Sequence, residues 1–152
     1  MGKEQSTQNY AVKFSSENAP VVLVVEDEPV VREITRQVLE NAGYQVLAAG
    51  SPSDALLLSG HYTRKIDLLL TDVVMPEMNG MDLADHLRKL QPGLVTVFMS
   101  GYADVDVARK ATAELALHIQ KPFTANFLLA RIAHALTPPA DARQNRAMNS
   151  LE

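Results

Sequence analysis

Several polar residues each close a segment that reads as a strand: Glu26-Asp27 after Val21–Val25, Asp72 after Leu68–Leu70, Ser100 after Leu94–Met99 and Lys121 after Leu115–Gln120. Three carboxylates, a hydroxyl and an ammonium form a chemical set if the fold brings them together. Like charges at close range raise each other's pKa or demand a cation, and an all-oxygen donor set suits a hard ion such as Mg²⁺ rather than zinc. A carboxylate can attack phosphorus to give an aspartyl phosphate, with the transferred group stabilised by a metal and a cation rather than by acid–base residues. Asp72 is the nucleophile this chemistry would use, because it alone ends the most buried strand. Glu26 and Asp27 would hold the ion, directly or through water, and Ser100 would donate to a phosphoryl oxygen. Lys121 supplies the further positive charge.

The elements that must position these residues are legible from apolar patterning. Ile66, Asp67 and Leu68–Leu70 predict a short strand buried on both faces and ending at Thr71-Asp72, as in the interior of a parallel sheet. Val21–Val25, Gln45–Ala49, Leu94–Met99 and Leu115–Gln120 predict four more strands. Between them, Val31, Ile34 and Val38 recur at helical spacing behind Pro29 and stop at Gly43, a C′ glycine. Ser51 is the cap of a short helix over Ala55–Ser59, with Asp54 reaching back, and Leu83, Leu87 and Leu90 mark the buried stripe of a third. Ala103–Ala113 has helical spacing with a thin Val/Ala face, which predicts the most mobile helix, and Leu128, Ile132 and Leu136 line the last one. Pro76 stiffens the loop after Asp72, and Asn79-Gly80 offers the positive φ for the turn into the third helix. Five strand–helix units predict an α/β fold with a doubly wound parallel sheet, and right-handed crossovers put all the polar strand ends on one edge. That edge is where open α/β sheets bind ligands.

Composition narrows the function classes. With 152 residues and 47% apolar content the chain has enough for one core of ordinary size. The division expected is a polar lead-in or linker over 1–20, a domain over 21–137, and a polar tail over 138–152. Leu151-Glu152 reads as a cloning scar on a piece of a longer protein. A net charge of −4 with no basic stripe argues against nucleic acid as a partner. No apolar stretch reaches membrane-spanning length, so this domain itself is expected to keep off the membrane. The absence of cysteine rules out disulfides and thiolate sites and is compatible with a cytoplasmic location. His61, His86 and His134 lie scattered without ligand spacing.

Four ordered motifs, VLVVEDEP (Val22 to Pro29), LLLTDVVMPEMNG (Leu68 to Gly80), FMSGYAD (Phe98 to Asp104) and QKPF (Gln120 to Phe123), resemble the receiver domain of two-component response regulators. The likeness runs from about Val21 to Leu136. It implies a flavodoxin-like sheet of order 2-1-3-4-5 with five helices, and phosphorylation of Asp72 by the phosphohistidine of a histidine kinase or histidine phosphotransfer protein. It further implies Mg²⁺ ligation by Asp27, Asp72 and the backbone carbonyl of Val74, with Glu26 acting through water, pairing of Lys121 with the phosphoryl group, and a cis Lys121-Pro122 bond. The switch pair it assigns is Ser100 and the residue three before the lysine, commonly aromatic, here His118. Movement of that pair reshapes the face of the fourth helix, fifth strand and last helix, where a homodimer or an unknown downstream partner would bind. An imidazole there makes the coupling weaker or pH-sensitive. Val74 and Tyr102 occupy the positions that tune phosphate lifetime, and an apolar Val74 cannot orient an attacking water, which predicts slow self-hydrolysis.

Three rival functions are distinguishable. A haloacid-dehalogenase-type phosphatase needs a second acid two residues after its nucleophile, and Val74 stands there. A flavodoxin-like cofactor binder should open a Ser/Thr/Gly phosphate loop after the first strand, where Glu26-Asp27-Glu28 would repel phosphate. A phosphate-independent docking module has no need of the full set of chemical residues that this chain keeps. Without a kinase histidine box or ATP-binding glycine motif the chain receives phosphate rather than generating it, and is not a turnover enzyme. A stand-alone regulator and the receiver of a hybrid histidine kinase, tethered to a membrane sensor, both accommodate it.

Overall fold

A computed structural model describes residues 18–101 and 117–137. The elements are β1 (Val21–Val25), α1 (Pro29–Asn41), β2 (Gln45–Ala49), α2 (Pro52–His61), β3 (Leu68–Asp72), α3 (Gly80–Leu90), β4 (Val95–Ser100), β5 (His118–Gln120) and α4 (Ala125–Leu136). The strands form one five-stranded sheet of order β2-β1-β3-β4-β5 with every described pairing parallel. That is the doubly wound order expected from the motifs, with β3 in the middle. The helix predicted over 103–113, the first residues of the fifth strand and Tyr102 lie outside the described residues.

Strand alternation divides the core into two layers. Leu23, Val25, Leu69 and Phe98 pack with Ala55 of α2 and Leu83 and Leu87 of α3. Val22, Val24, Leu68, Leu70, Met99 and Ile119 pack on the other face with Leu39 of α1 and Leu128 and Ile132 of α4. All five residues of β1 and of β3 are buried, so these strands have no solvent face and read as continuous apolar runs. Each fully buried Leu or Val in them contributes about 1.5–3 kcal/mol. The lone Asp67 is not a flaw in that run, because its Oδ2 accepts from the Val21 N–H at 2.8 Å and joins the starts of β1 and β3.

The helix ends follow their local chemistry. Gly43 takes φ 102° after α1, and the Gly43 and Tyr44 N–H groups bond back to the Glu40 and Leu39 carbonyls, closing the helix with two of its orphan acceptors satisfied. Ser51 caps α2 by accepting from the Asp54 N–H at 3.1 Å, and the helix runs from Pro52 to His61, longer at both ends than the short span over Ala55–Ser59 that the sequence predicts.

Three expectations about these elements are corrected. Ile34 is 55% exposed; the buried residues of α1 are Thr35 and Leu39, with Thr35 Oγ1 donating to the Val31 carbonyl at 2.7 Å and so needing no water. Leu90 is 69% exposed, and Ala84 joins Leu83 and Leu87 in the buried stripe of α3 instead. The positive φ in the loop after β3 belongs to Glu77, at 75°, and not to Asn79 or Gly80. Asn79 is the α3 cap, its side chain accepting from the Asp82 N–H at 2.8 Å. Gly80 is required for a different reason: a Cβ there would lie 2.0 Å from the carbonyl oxygen of Asp72.

Candidate functional site

The site is assembled by register. Val24 pairs with Leu70 and Val25 with Thr71, so Glu26 and Asp72 leave the sheet side by side, about 5 Å apart across adjacent strands. Alternation gives both the same face as Val24 and Leu70, and Lys121, two residues after Ile119, arrives on that face from β5. The close packing of Gly80 against Asp72 holds the end of β3 beneath the start of α3, and the Gly80 N–H bonds to the Val73 carbonyl at 2.8 Å.

Lys121 Nζ lies 2.6 Å from Asp72 Oδ1 and 2.5 Å from Glu26 Oε2. Glu26 is wholly buried and Asp72 is 4% exposed, while Asp27 stands at the solvent side. The other Glu26 oxygen, Oε1, accepts from the Glu28 N–H at 3.1 Å. Oxygens of Glu26, Asp27 and Asp72 all lie within 4.8 Å of one another. Burial pushes the Asp72 carboxyl up, to about 8, with the neighbouring Glu26 adding to the rise and Lys121 opposing it. Burial pulls the Lys121 ammonium down, but its pairs with Asp72 and Glu26 outweigh that and hold it above its ordinary value.

This arrangement fits a divalent cation. Asp72 Oδ2 is buried without a hydrogen-bond partner among the described residues, which leaves one carboxylate oxygen for a ligand to satisfy. Three carboxylates facing one ammonium leave negative charge uncompensated, and oxygen-only donors match a hard ion. Glu26, Asp27, Asp72 and Lys121 are therefore brought together as the sequence anticipates. Val74 sits in the loop two residues beyond Asp72 with its side chain 51% exposed. The Lys121-Pro122 bond is cis.

Ser100 ends β4 one residue beyond the pairing of Asp72 with Met99 and is buried. Phe98 pairs with His118 and Ser100 with Gln120, so Ser100 and His118 share a face, and Ser100 Oγ is in direct hydrogen-bond contact with His118 Nε2. The sequence pairs these residues only by motif position; the contact between them is a structural finding.

One residue that patterning passes over is Arg32. Its Nη1 donates to the Glu26 carbonyl at 2.9 Å and fills the space beside Gly50, where a Cβ would lie 2.7 Å from the guanidinium. The signal for it is the glycine directly after a strand, marking a close approach. Lys121, Pro122, Phe123 and Phe127 line an open depression of about 430 Å³ next to the cluster.

Comparison with known proteins agrees with this geometry. The family model described as "Response regulator receiver domain" matches residues 22–133. The sensor kinase CckA of Brucella abortus is 37% identical over 116 residues, covering 76% of this chain and 12% of its own. The transcriptional regulator NtrC of Azospirillum brasilense is 34% identical over 127 residues, covering 81% and 26%. The chain thus spans about a quarter or less of the length of these two relatives. Among solved structures, a receiver domain protein from Clostridium thermocellum superposes with a TM-score of 0.69 at 30% identity, covering 77% of this chain and 94% of that one. The receiver domain of the hybrid histidine kinase CckA gives 0.64 at 28% identity, covering 77% and 99%. With a family match across most of its length and a parallel sheet in the same order, the chain belongs to the response regulator receiver domains of two-component signalling.

Proposed function

We propose that Asp72 accepts a phosphoryl group from the phosphohistidine of a histidine kinase or histidine phosphotransfer protein. The observation that carries this reading is the buried Asp72 carboxylate, with Lys121 Nζ at 2.6 Å on one oxygen and the other oxygen unpartnered. An Asp72 oxygen attacks phosphorus, the P–O bond forms as the P–N bond breaks, and the donor imidazole leaves. Asp27, Asp72 and the Val74 carbonyl would hold Mg²⁺, with Glu26 contributing through water, and the ion when bound neutralises charge on the phosphoryl oxygens. Lys121 passes from the carboxylate oxygen to a phosphoryl oxygen. Glu26, which it also contacts, keeps the ammonium charged and aimed at the site.

Ser100 donates its hydroxyl to the phosphoryl group and in doing so must exchange its contact with His118, which carries the change to the face around β5. That face is the docking surface for a downstream partner or a second copy. Val74 at the position beyond Asp72 gives no hydrogen bond to an attacking water, so the phosphoryl group is long-lived. The likeness to a sensor kinase and to a hybrid-kinase receiver supports a parent of that kind, and the likeness to NtrC supports a regulator. No described helix is long and apolar enough to cross a membrane.

Intact mass after incubation with acetyl phosphate and Mg²⁺ tests the proposal. Wild type gains one phosphoryl group and Asp72→Asn gains none. Equal labelling of both proteins, or labelling of neither, removes Asp72 from the role.

A further inference from the structure

Among the described non-glycine residues, only Glu77 has a left-handed backbone, at φ 75°, a conformation uncommon for a long side chain. Its carboxylate shows what the turn achieves. Glu77 Oε2 accepts from Ser53 Oγ at 2.6 Å and from the Ser53 N–H at 3.4 Å, 24 residues back along the chain. Ser53 follows Pro52, the first residue of α2, so its N–H is one of the donors that a helix start leaves unpaired, at the positive end of the helix dipole. Ser51, the residue just before the helix, serves the next N–H. The start of α2 is therefore capped twice, once by its own Ser51 and once by a carboxylate from the loop after β3.

The same contact fixes the loop. Its base is closed by the Gly80 N–H on the Val73 carbonyl at 2.8 Å, and its tip is tied to α2 through Glu77. Val74 lies between these two anchors with its side chain 51% exposed, so side-chain packing does little to hold it. We propose that Glu77 is a positioning residue for the cation cradle: its tie to Ser53 sets the loop that presents the Val74 carbonyl beside Asp27 and Asp72. The inference rests on reading that cluster as a divalent-cation site, and it adds a link to α2 that the ligand set alone does not contain.

Calorimetric titration of the full chain with MgCl₂ tests it, using wild type, Glu77→Ala, Ser53→Ala, the double variant, Glu77→Gln and Asp27→Asn. Glu77→Ala and Ser53→Ala each weaken Mg²⁺ binding about 3–10-fold, at or below the low end for a group supporting a metal ligand because the link is exposed. The double variant is no weaker than the weaker single, since both remove one link. Glu77→Gln keeps an acceptor and recovers part of the loss. The Mg²⁺ concentration for half-maximal labelling by acetyl phosphate rises by the same factor while the rate at saturating Mg²⁺ is unchanged, a split that a general loss of stability would not produce. Wild-type affinity in Glu77→Ala and Ser53→Ala, with Asp27→Asn at least about tenfold weaker, overturns the link and leaves the cation site standing. Fully additive losses in the double variant overturn it as well. Wild-type affinity in Asp27→Asn brings down the cation reading itself, and the link with it.

Discussion

Two pairs of strand ends meet the same edge of the sheet and solve the problem of burying polar groups in opposite ways. At β1 and β3, Glu26 and Asp72 are buried as carboxylates around one ammonium, and Asp72 Oδ2 is left without a partner. At β4 and β5, buried Ser100 meets half-buried His118 in one hydrogen-bonded pair. A buried charge network is rarely the most stable filling for its volume, and it keeps strong interactions available for an incoming charged group. The Ser100–His118 pair carries no carboxylate or lysine and responds by exchanging one partner for another. On the function proposed above, the first pair of ends reacts and the second reports.

The sharpest way to break that contrast is to remove the shared cation. Lys121→Ala leaves the buried Glu26 beside Asp72 without its counter-charge and destabilises the fold by about 3–5 kcal/mol at neutral pH, read as a lower urea midpoint. Adding Asp72→Asn to it recovers part of the loss, because Glu26 then faces an amide that cannot ionise. If Lys121→Ala unfolds at the wild-type midpoint, the ammonium is not what holds the charged ends together.

A smaller effect comes from disturbing Asp72 through the backbone. In Gly80→Ala the new Cβ, 2.0 Å from the Asp72 carbonyl oxygen, meets main chain rather than a flexible side chain. The end of β3 or the start of α3 must shift, costing up to about 3 kcal/mol and weakening Mg²⁺ binding. The Ser100–His118 pair, made between β4 and β5 without a residue of α3, keeps its contact. An alanine tolerated with full cation affinity would show that the close approach is incidental.

Gly80 also marks where reading the sequence succeeds and where it stops. The strands, their polar ends and the sheet order are legible because β1 and β3 are apolar without interruption and end abruptly in acid. Glu26, Asp27, Asp72 and Lys121 converge as that pattern requires. The Asn79-Gly80 pair is legible as a turn, yet its glycine answers to a tertiary contact and the left-handed residue is Glu77, because a carboxylate 24 residues from its partner leaves no local trace. In α1 the stripe facing the core runs Val31, Thr35, Val38, Leu39 and Ala42; hydrophobicity alone replaces Thr35 by Ile34, since it cannot register a hydroxyl satisfied by its own helix. The Ser100–His118 contact is invisible for a similar reason: it depends on the register between two strands, which only the assembled sheet defines.

The charged ends should also carry a pH signature in the stability of the fold. With no divalent cation, burial raises the Asp72 carboxyl from its ordinary 3.8 to about 8, so the folded state holds a proton that the unfolded chain releases. The stability this proton supports is present at low pH and is lost as pH climbs from about 4 through about 8. Asp72→Asn cannot ionise, which flattens that slope and leaves it about 1–2 kcal/mol more stable than wild type at the alkaline end, the scale of relieving a buried unpaired group. Mg²⁺ flattens the wild-type slope in the same way. Parallel urea midpoints for the two proteins across this range would mean that Asp72 is already compensated without a cation.

The smallest stability effect belongs to the reporting end, where its functional effect should be clear. His118→Phe removes the partner of Ser100 Oγ and restores an aromatic ring, a change worth about 1 kcal/mol or less because the hydroxyl can turn towards the cluster. With the neutral imidazole in its Nδ1–H tautomer, Nε2 accepts the Ser100 proton, which ties up the hydroxyl as a donor; in the protonated imidazole Nε2–H donates to Ser100 Oγ and frees that proton for a phosphoryl oxygen. Phosphorylation should therefore shift the face around β5 more at about pH 6 than at about pH 8 in wild type, and equally at both in His118→Phe. The measurement is the change in amide chemical shifts of β5 and α4 with and without acetyl phosphate. A wild-type response that ignores pH would place the signal outside the Ser100–His118 contact, and the division between a reacting end and a reporting end would have to be redrawn around some other residue of β5.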